Sequence, residues 1–327
     1  MNIKKGIIIH QGALGDLVCT VPALAALRSN CSELIGIGSE RLKLLEYAGI
    51  LDKALSAEAL GLHQLFRENS EPGPYLATVF ENAGLVVSWL GRSSKPFEAN
   101  LKRLCPAVAL FREPFPPAPG SAPACRILAQ PVLELGIAVE NFHPRIRLPE
   151  NGEAAGRLPA IGARFLALHP GSGSPNKVLP LDKLFAILAQ LAGEAPGCKL
   201  VIIAGDADKS LLIELIKRMP LPLRPIIQII DQVDLCVLAE TISRAEIYFG
   251  MDSGPTHLAA ALGKKTVAVF GPTDPAVWAP PQPWVKIVTA HYPCAPCPDD
   301  RRRDCPKALC LEAVKEQEII TAIREEF

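Results

Sequence analysis

One loop in the second half of the sequence combines glycines, hydroxyl side chains and a lysine at close spacing. Residues 171–177 read GSGSPNK and lie between a short apolar run and a stretch with helical spacing. Backbone N–H groups without a neighbouring Cβ, the hydroxyls of Ser172 and Ser174, and the ammonium of Lys177 are the donors that a phosphate or diphosphate needs. The order of Gly173 and Lys177 does not match a Walker A loop. A plain polar turn is the alternative.

A second segment, GMDSGPTH over residues 250–257, has the same potential. It follows an apolar run and opens an apolar helix with a proline near its first turn, and a helix that starts there directs N–H groups and the positive end of its dipole at a ligand. The candidate ligand residues are Asp252, Ser253, Gly254, Thr256 and His257. In the alternative interpretation, Asp252 or Ser253 only caps the helix and His257 is bonded locally. Two such loops in one domain favour a nucleoside diphosphate over two coincidental caps.

Carboxylates follow a third apolar run, in the sequence GDAD over residues 205–208. Asp206 and its neighbour Asp208 offer acceptors for the hydroxyls of a ribose. They are equally well explained as solvated acids at the start of a helix.

The loop near the start of the chain, GALGD over residues 12–16, carries a carboxylate where a helix begins. The spacing of Gly12 and Gly15 differs from the dinucleotide fingerprint GxGxxG and no third glycine follows, which disfavours an oxidoreductase. Asp16 is either the N-cap of this helix or a general base at the rim of a cleft, placed to accept a proton from a hydroxyl.

Four of the ten cysteines form a cluster, Cys294-x2-Cys297-x7-Cys305-x4-Cys310, in a loop rich in proline and arginine. Four thiols at such spacing can hold Zn²⁺. The spacing is irregular for a zinc ribbon, so reduced thiols and a disulfide are the competing interpretations. The other six cysteines are scattered among apolar segments, where a free thiol behaves as a small buried hydrophobe.

The elements that must position these loops alternate between strands and helices. Strands are predicted at residues 3–10, 34–37, 85–90, 165–169, 199–204, 226–230, 247–250 and 266–270. Helices are predicted at residues 16–28, 41–48, 60–68, 125–135, 181–191, 210–218, 235–244, 255–262 and 311–326. An irregular loop is predicted over 106–123. This alternation is typical of α/β domains with parallel sheets.

The strand-loop-helix theme restarts after a loose stretch at residues 141–159. His10-Gln11-Gly12 and His169-Pro170-Gly171 both end an apolar strand and open a glycine-containing loop. Two Rossmann-like halves that face each other across a cleft are therefore predicted. The predicted domains are residues 1–155, residues 156–310 and a C-terminal helix, 311–327, that packs back on the body.

The composition excludes several classes of protein. The chain has 327 residues, of which 49% are hydrophobic, and 34 Lys and Arg balance 34 Asp and Glu. There is no basic surplus of the kind that nucleic-acid binders carry, so no nucleic-acid partner is expected. No run of about 18 apolar residues and no signal peptide is seen, which predicts a cytoplasmic protein. Neutral net charge leaves room for a local basic patch that faces an anionic substrate or a membrane.

Taken together, the motifs resemble a known family. They are GALGDLVCTVPAL at residues 12–24, HPGSGS at 169–174 with Lys177, AGD at 204–206, DSGPTHLAAALG at 252–263 and VFGPT at 269–273. In these segments, and over nearly its whole length, the chain resembles glycosyltransferase family 9, the ADP-heptose:lipopolysaccharide heptosyltransferases. The resemblance implies a GT-B fold of two facing Rossmann-like domains.

The resemblance also implies roles for individual residues. Asp16 would be the general base of an N-terminal, acceptor-binding domain. Lys177, with Ser172 and Ser174, would bind the phosphates of the donor, while Asp252, Ser253 and the following amides would hold the diphosphate and ribose. His257 matches the family motif without an assigned role, and the cysteine-rich loop is similar to one that many members carry as a structural feature. The family commonly has a basic residue and Trp-Pro after the lysine, whereas this chain has Val178-Leu179-Pro180.

The implied reaction is inverting transfer of a heptose or related sugar from an ADP-sugar, ADP-heptose being the expected donor, to a hydroxyl of a lipopolysaccharide core or similar glycan. No cofactor and no divalent metal is expected to be essential, because Lys177 and fixed N–H donors stabilise the leaving diphosphate. The expected acceptor is a glycolipid or oligosaccharide, with peripheral association at the inner face of the membrane. The alternatives are a transferase or epimerase that uses another nucleotide sugar, such as a UDP sugar, and a non-catalytic member that binds nucleotide sugar.

Overall fold

Each half of the chain builds its own parallel β-sheet in the computed structural model, which describes residues 3–105, 107–113, 115–162, 164–194, 197–298, 305 and 307–326. The sheets belong to two units. Unit 1 contains the chain up to Phe115 together with Ala124–Glu150. Unit 2 contains Pro116–Pro123 together with the chain from Asn151 onward. The chain therefore enters unit 2 twice, first through a proline-rich segment.

The sheet of unit 1 has the strand order β3-β2-β1-β4-β5 with parallel pairings. Its strands are β1 (Ile3–His10), β2 (Cys31–Gly38), β3 (Lys53–Ser56), β4 (Leu85–Ser88) and β5 (Val108–Leu110). Its helices are α1 (Leu14–Asn30), α2 (Leu42–Tyr47), α3 (Pro74–Phe80), α4 (Lys95–Leu104), α5 (Ala124–Leu128) and α6 (Gln130–Glu134). The strand order reverses direction between β1 and β4. In open α/β sheets ligands bind beyond the carboxyl ends of the strands at such a switch point.

The sheet of unit 2 repeats this plan with the strand order β11-β10-β9-β6-β7-β8, again with parallel pairings. Its strands are β6 (Phe165–His169), β7 (Lys199–Ala204), β8 (Ile227–Asp231), β9 (Ile247–Met251), β10 (Lys265–Phe270) and β11 (Val285–Thr289). Its helices are α7 (Leu181–Glu194), α8 (Lys209–Arg218), α9 (Leu235–Arg244), α10 (Gly254–Ala261), α11 (Pro275–Trp278), α12 (Leu309–Glu312) and α13 (Glu316–Arg324). The switch point here lies between β6 and β9, the strands that precede the two predicted phosphate loops.

The central strands are continuous apolar runs because both faces of each sheet are covered. In β1, Ile7, Ile8 and Ile9 are each at most 1% exposed. In unit 2, Leu166 and Leu168 of β6 are fully buried in the core. Burying one such side chain stabilises the fold by about 1.5–3 kcal/mol. The loops that follow these strands therefore start from fixed backbone.

The predicted α/β class with two parallel-sheet domains is confirmed, and most central elements lie where the spacing predicts them. Three predictions for unit 1 are wrong. The helix expected at 60–68 is a 3₁₀ helix over Leu62–Phe66. The helix expected at 125–135 is divided into α5 and α6, with Pro131 in the first turn of α6. The loop expected over 106–123 contains the short strand β5, whose pairing with β4 could not be read from a run of three residues.

The C-terminal stretch differs from the single helix predicted at 311–326. It forms two helices, α12 and α13, separated by residues 313–315. Leu311 and Val314 are buried together with Ile319, Ile320 and Ile323 in the core of unit 2. The break lets both short helices turn an apolar face toward that core. These residues are therefore part of unit 2 and do not form a separate element.

The longest helix described is α1, with 17 residues, and it is largely buried against the sheet of unit 1. Pro22 lies inside it. Among the described residues, none of the helices combines the length and apolar character that crossing a membrane requires.

Candidate active site

The two predicted phosphate loops of unit 2 meet beyond the carboxyl ends of β6 and β9. The ammonium of Lys177 donates a hydrogen bond to Asp252 Oδ2 at 2.7 Å. The hydroxyl of Ser172 donates to the backbone carbonyl of Asp252 at 2.8 Å. Residues from two motifs, 75 positions apart in the sequence, therefore form one cluster at the switch point of the sheet.

Asp252 is the most strongly held carboxylate of this cluster. Its side chain is 6% exposed. Thr273 Oγ1 donates to its Oδ2 at 2.5 Å, and His257 Nε2 lies 3.9 Å from its Oδ1. Burial alone would raise the pKa of Asp252, but the neighbouring His257 and the hydrogen-bonded ammonium of Lys177 outweigh it and hold this pKa well below its usual range. Asp252 is thus a buried carboxylate that orients Lys177.

Ser253 is the N-cap of helix α10 by backbone geometry, as the capping alternative has it, but its side chain accepts no capping hydrogen bond from the helix backbone. Its hydroxyl instead lies 3.1 Å from Thr256 Oγ1 and 3.3 Å from His169 Nδ1. Gly254 is the first residue of α10, and the following proline has no N–H to satisfy.

The loop over residues 171–177 does not lead directly into an α-helix. Its last residues form a short 3₁₀ helix, Pro175–Lys177, and α7 begins only at Leu181. Ser174 precedes the 3₁₀ helix and its side chain does not cap it. The anion-binding potential of this loop therefore comes from its own donors and not from the dipole of α7.

The two candidate carboxylates after β7 lie in different environments. Asp206 has a side chain that is 82% exposed and forms an ion pair with Lys209 at 2.9 Å. Asp208 is buried, accepts a hydrogen bond from the Gly205 N–H at 2.9 Å and lies 3.1 Å from His169 Nε2. Asp208 is therefore a member of the buried cluster, which neither interpretation of the GDAD sequence predicts, while Asp206 is a solvated acid.

In unit 1, Asp16 lies in the first turn of α1 and is not its N-cap, which corrects one of the two interpretations. The N-cap is Ala13, and the Ala13 N–H donates to Asp16 Oδ2 at 3.2 Å. Gly15 is the second residue of α1. A Cβ on Gly12 would lie 2.9 Å from His10 Cε1 and 3.2 Å from Asp16 Oδ2. Glycine at position 12 thus lets the loop pack closely against the carboxylate.

A pocket of about 250 Å³ opens beside Asp16. Trp89, Phe111 and Phe115 contribute aromatic rings to its walls, and Arg92 also lines it. The Trp89 Nε1–H donates to the backbone carbonyl of Leu128 at 2.8 Å, which fixes the indole. This pocket lies beyond β1 and β4, at the switch point of the first sheet. Sequence reasoning missed these aromatic residues because they come from two separate segments, one after β4 and one after β5.

His10 lies under the same pocket and is buried. Burial, with a smaller contribution from Arg41, lowers its pKa to about 4, so the ring is neutral at pH 7. The Thr20 hydroxyl donates its proton to the backbone carbonyls of Asp16 and Leu17, at 2.7 and 2.9 Å. In the 3.4 Å contact between Thr20 Oγ1 and His10 Nε2, the donor is therefore the ring nitrogen. His10 is therefore a fixed neutral tautomer behind Asp16.

The four clustered cysteines are free thiols, as are the other six, so the disulfide alternative is not observed. The Cys297 thiol donates to the carbonyl of Cys294 at 3.0 Å. Burial and the neighbouring thiols, first that of Cys294 and then those of Cys310 and Cys305, raise the pKa of Cys297 to about 11. Within the described ranges, no three Cys, His, Asp or Glu side chains are arranged to hold a metal ion.

Comparison with known families decides what this arrangement belongs to. Residues 124–307 match the model of glycosyltransferase family 9 (heptosyltransferase), which covers more than half of the chain. The chain belongs to glycosyltransferase family 9. This confirms the resemblance seen in the motifs and disfavours the dinucleotide oxidoreductase.

Individual relatives of this family 9 protein agree in fold and diverge in sequence. It is 26% identical to lipooligosaccharide heptosyltransferase 2 of Campylobacter jejuni over 165 residues. This aligned stretch covers 49% of this chain and 50% of the relative. The chain thus spans about half the length of the curated relatives it matches. A family 9 glycosyl transferase from Veillonella parvula superposes with a TM-score of 0.74 at 18% identity, over 99% of this chain and 97% of that one. An E. coli heptosyltransferase solved with ADP-2-deoxy-2-fluoro heptose superposes with a TM-score of 0.64 at 13% identity, over 99% of this chain and 100% of that one.

Proposed function

We propose that this family 9 protein transfers a heptose or a related sugar from an ADP-sugar to a hydroxyl of a lipopolysaccharide-core or similar glycan acceptor, with inversion at the transferred carbon. The observation that carries the proposal is the partly buried Lys177–Asp252 pair beside the start of α10. The heptosyltransferase names of the relatives support this sugar. The ADP-2-deoxy-2-fluoro heptose in the E. coli structure supports this nucleotide.

In the proposed donor site, unit 2 binds the nucleotide diphosphate. The ammonium of Lys177 has three N–H donors, of which Asp252 takes one. The others, with the first turn of α10 and the donors of the loop that holds Ser172 and Ser174, stabilise the negative charge that develops on the departing ADP. Because these fixed groups supply positive charge, we expect transfer to continue when divalent metal is removed with a chelator.

In the proposed acceptor site, Asp16 takes a proton from the acceptor hydroxyl. The hydroxyl oxygen forms a bond to the anomeric carbon as the bond from that carbon to the diphosphate breaks, which leaves the inverted glycoside and ADP. A base on the acceptor side of the sugar ring is what inversion requires, by analogy with inverting glycosidases. The Ala13 N–H fixes the orientation of the Asp16 carboxylate.

We propose that the pocket beside Asp16 holds the acceptor sugar. Its volume of about 250 Å³ is below the roughly 300–1,000 Å³ typical of sites for drug-sized ligands, so it suits a single sugar unit. The faces of Trp89 and Phe115 would contact the apolar face of a sugar ring. An acceptor carried on a lipid would place the protein at the cytoplasmic face of the inner membrane, and co-sedimentation with vesicles that carry the acceptor tests that location.

The first experiment is a calorimetric titration of the purified chain with ADP, UDP and NAD in parallel, followed by turnover of ADP-heptose with candidate acceptors. Selective binding of ADP and release of ADP on turnover support the proposal. A preference for UDP moves the donor to another nucleotide sugar, binding without turnover indicates a non-catalytic member, and binding of NAD alone contradicts it.

A further inference from the structure

His10 is a buried polar side chain in the wall of the pocket beside Asp16, and the proposed transfer leaves it without a role. It ends β1 and is 3% exposed. The centroids of its ring and of the Trp89 indole lie 5.9 Å apart, with 59° between the two planes. A buried polar group costs stability unless its polar atoms find partners. The partners of the two ring nitrogens therefore indicate what this residue does.

One ring nitrogen of His10 is bonded within the protein. Its Nε2 donates to Thr20 Oγ1 at 3.4 Å, because the Thr20 hydroxyl gives its own proton to the backbone carbonyls of Asp16 and Leu17. Burial, with a smaller contribution from the charge of Arg41, lowers the pKa of the ring to about 4. At pH 7 the ring therefore has one proton, on Nε2, and a lone pair on Nδ1.

The lone pair of His10 Nδ1 is open to the pocket. Among the described residues, none gives a hydrogen bond to this nitrogen. In the same part of the chain, Nδ1 is not one of the side-chain atoms that are both sealed from solvent and without a partner. Because His10 lines the pocket, the opening beside Nδ1 is the pocket itself.

Gly12 keeps the space between His10 and Asp16 clear. A Cβ at this position would lie 2.9 Å from His10 Cε1 and 3.2 Å from Asp16 Oδ2. The edge of the imidazole and the carboxylate thus border the same small space. One sugar ring can therefore reach both groups.

His10 and Asp16 are the two side chains with hydrogen-bond acceptors among the described residues that line the pocket. Arg92 and Trp89 carry only donors, and the Trp89 Nε1–H is already bonded to the Leu128 carbonyl. The remaining lining residues are glycine, leucine and phenylalanine. Hydroxyl groups of a bound sugar that donate to side chains of the pocket must therefore donate to Asp16 or to His10.

We propose that His10 Nδ1 accepts a hydrogen bond from a second hydroxyl of the acceptor sugar, next to the hydroxyl that Asp16 deprotonates. This bond orients the sugar so that the attacking oxygen faces the carboxylate. The acceptor is accordingly a sugar unit with two adjacent free hydroxyls, and a unit in which the second one is absent or substituted is disfavoured. The inference rests on the proposed function, since that function places the acceptor in this pocket.

His10 binds the second hydroxyl and does not act as a base. Burial disfavours the imidazolium, so the second hydroxyl keeps its proton throughout the reaction. The attacking hydroxyl gives its proton to Asp16, and no covalent bond is made or broken at the imidazole. A sugar that lacks the second hydroxyl leaves Nδ1 without a donor, which corresponds to about tenfold in affinity.

The first test is ¹⁵N NMR of the ligand-free protein labelled at histidine. The His10 signals are assigned by comparison with His10→Phe or, if that variant does not fold, by through-bond correlation to the backbone. A proton on Nε2 and none on Nδ1 are expected at pH 7. A proton on Nδ1 overturns the proposal, because that nitrogen then has no lone pair for a hydroxyl. No ligand is required, so this outcome is separate from that of the proposed function.

The second test measures transfer from ADP-heptose to methyl heptoside and to derivatives of it that each lack one hydroxyl. In the unaltered protein, kcat/KM is expected to fall about tenfold for one derivative that still carries the attacked hydroxyl. In His10→Phe, methyl heptoside should lose about tenfold and that derivative should react equally fast, because the two changes remove the same bond. The affinity for ADP should stay the same. His63→Phe, at an exposed histidine of unit 1, is the control and should behave like the unaltered protein.

The other results of this assay contradict the proposal in different ways. An equal further loss for every derivative in His10→Phe indicates a structural role and overturns it. A fall in kcat of about 10²–10⁴ with every acceptor assigns His10 as a base and overturns it as well. Release of ADP with a core oligosaccharide but not with methyl heptoside contradicts a pocket for a single sugar unit, and the inference fails with that pocket. Turnover with neither acceptor contradicts the proposed function instead, whatever the NMR result for His10.

Discussion

Lys177 and Asp252 form a partly buried ion pair, with 2.7 Å between Nζ and Oδ2 and side chains that are 19% and 6% exposed. Removing one partner of a buried pair leaves the other charge without compensation, which typically costs about 3–5 kcal/mol. The pair thus links the proposed donor site to the stability of unit 2. A variant at either position is expected to change binding and folding together.

Lys177→Met should lower the free energy of unfolding by about 3 kcal/mol and weaken ADP binding by at least about tenfold. Chemical denaturation and calorimetry measure the two effects. Lys209→Met is the matched control, because Lys209 pairs with Asp206 at an exposed site, where such a pair contributes about 0–1 kcal/mol. Equal losses of stability in the two variants would show that the partly buried Lys177–Asp252 pair stabilises the fold no more than the exposed pair does.

The depressed pKa of Asp252 predicts how stability depends on pH. A carboxylate whose pKa is lower in the folded state than the unfolded value of about 3.9 contributes stability above that value, and the contribution is lost as the pH falls below it. The difference in unfolding free energy between the unaltered protein and Asp252→Asn should therefore be largest above about pH 5 and shrink toward pH 3. A difference that stays constant over this range would show that the charge of Asp252 contributes no stability.

The sequence predicts the positions of the central strands better than it predicts the arrangement of the candidate site. Continuous apolar runs such as residues 165–169 identify central strands, because burial on both faces demands them. The edge strand β5 has three residues, and its pairing depends on neighbours distant in the sequence. Parallel order then places the loops after β6 and β9 side by side, which explains why residues named from two motifs form one cluster.

The roles within the cluster depend on side-chain packing that spacing does not encode. Asp206 and Asp208 are two residues apart with the same chemistry, yet only Asp208 is buried against His169. Thr273 donates a hydrogen bond to Asp252. It lies in the motif VFGPT at residues 269–273, but nothing in the local sequence distinguishes it as a partner of Asp252. Similarly, no local pattern identifies Trp89 as a wall of the pocket beside Asp16.

Asp16→Asn tests the proposed general base. The amide cannot accept the proton of the acceptor hydroxyl, so kcat should fall by about 10²–10⁴. ADP affinity should change little, because Asp16 belongs to unit 1 and the proposed nucleotide site to unit 2. Glu33→Gln, at an exposed carboxylate of the same unit, is the control for loss of charge. Transfer by Asp16→Asn at close to the native rate would show that another group is the base.

Gly171→Ala tests the close packing around Asp208. The added methyl would lie 1.8 Å from Asp208 Oδ1, so the carboxylate must move away from its partners. Overpacking of this kind typically costs about 1–3 kcal/mol, and denaturant unfolding measures it. Gly173→Ala is the matched control in the same loop, since no atom lies within 4 Å of its added Cβ. Similar stabilities for the two variants would mean that Asp208 adapts without cost.

Trp89→Ala tests the proposed acceptor pocket and rests on the proposed function. An aromatic ring in contact with a ligand contributes roughly 0.5–1.5 kcal/mol beyond the area it buries, so the KM for the acceptor should rise by up to about tenfold. The affinity for ADP should remain unchanged.

The control is Tyr75→Ala, which removes an aromatic side chain of the same unit that is 78% exposed and does not line the pocket. This variant should leave both the acceptor KM and the affinity for ADP as they are. Because Trp89 also hydrogen-bonds to Leu128, Trp89→Phe is included to retain a ring without that bond. If Trp89→Ala weakens ADP binding and leaves the acceptor KM unchanged, the acceptor does not bind in this pocket.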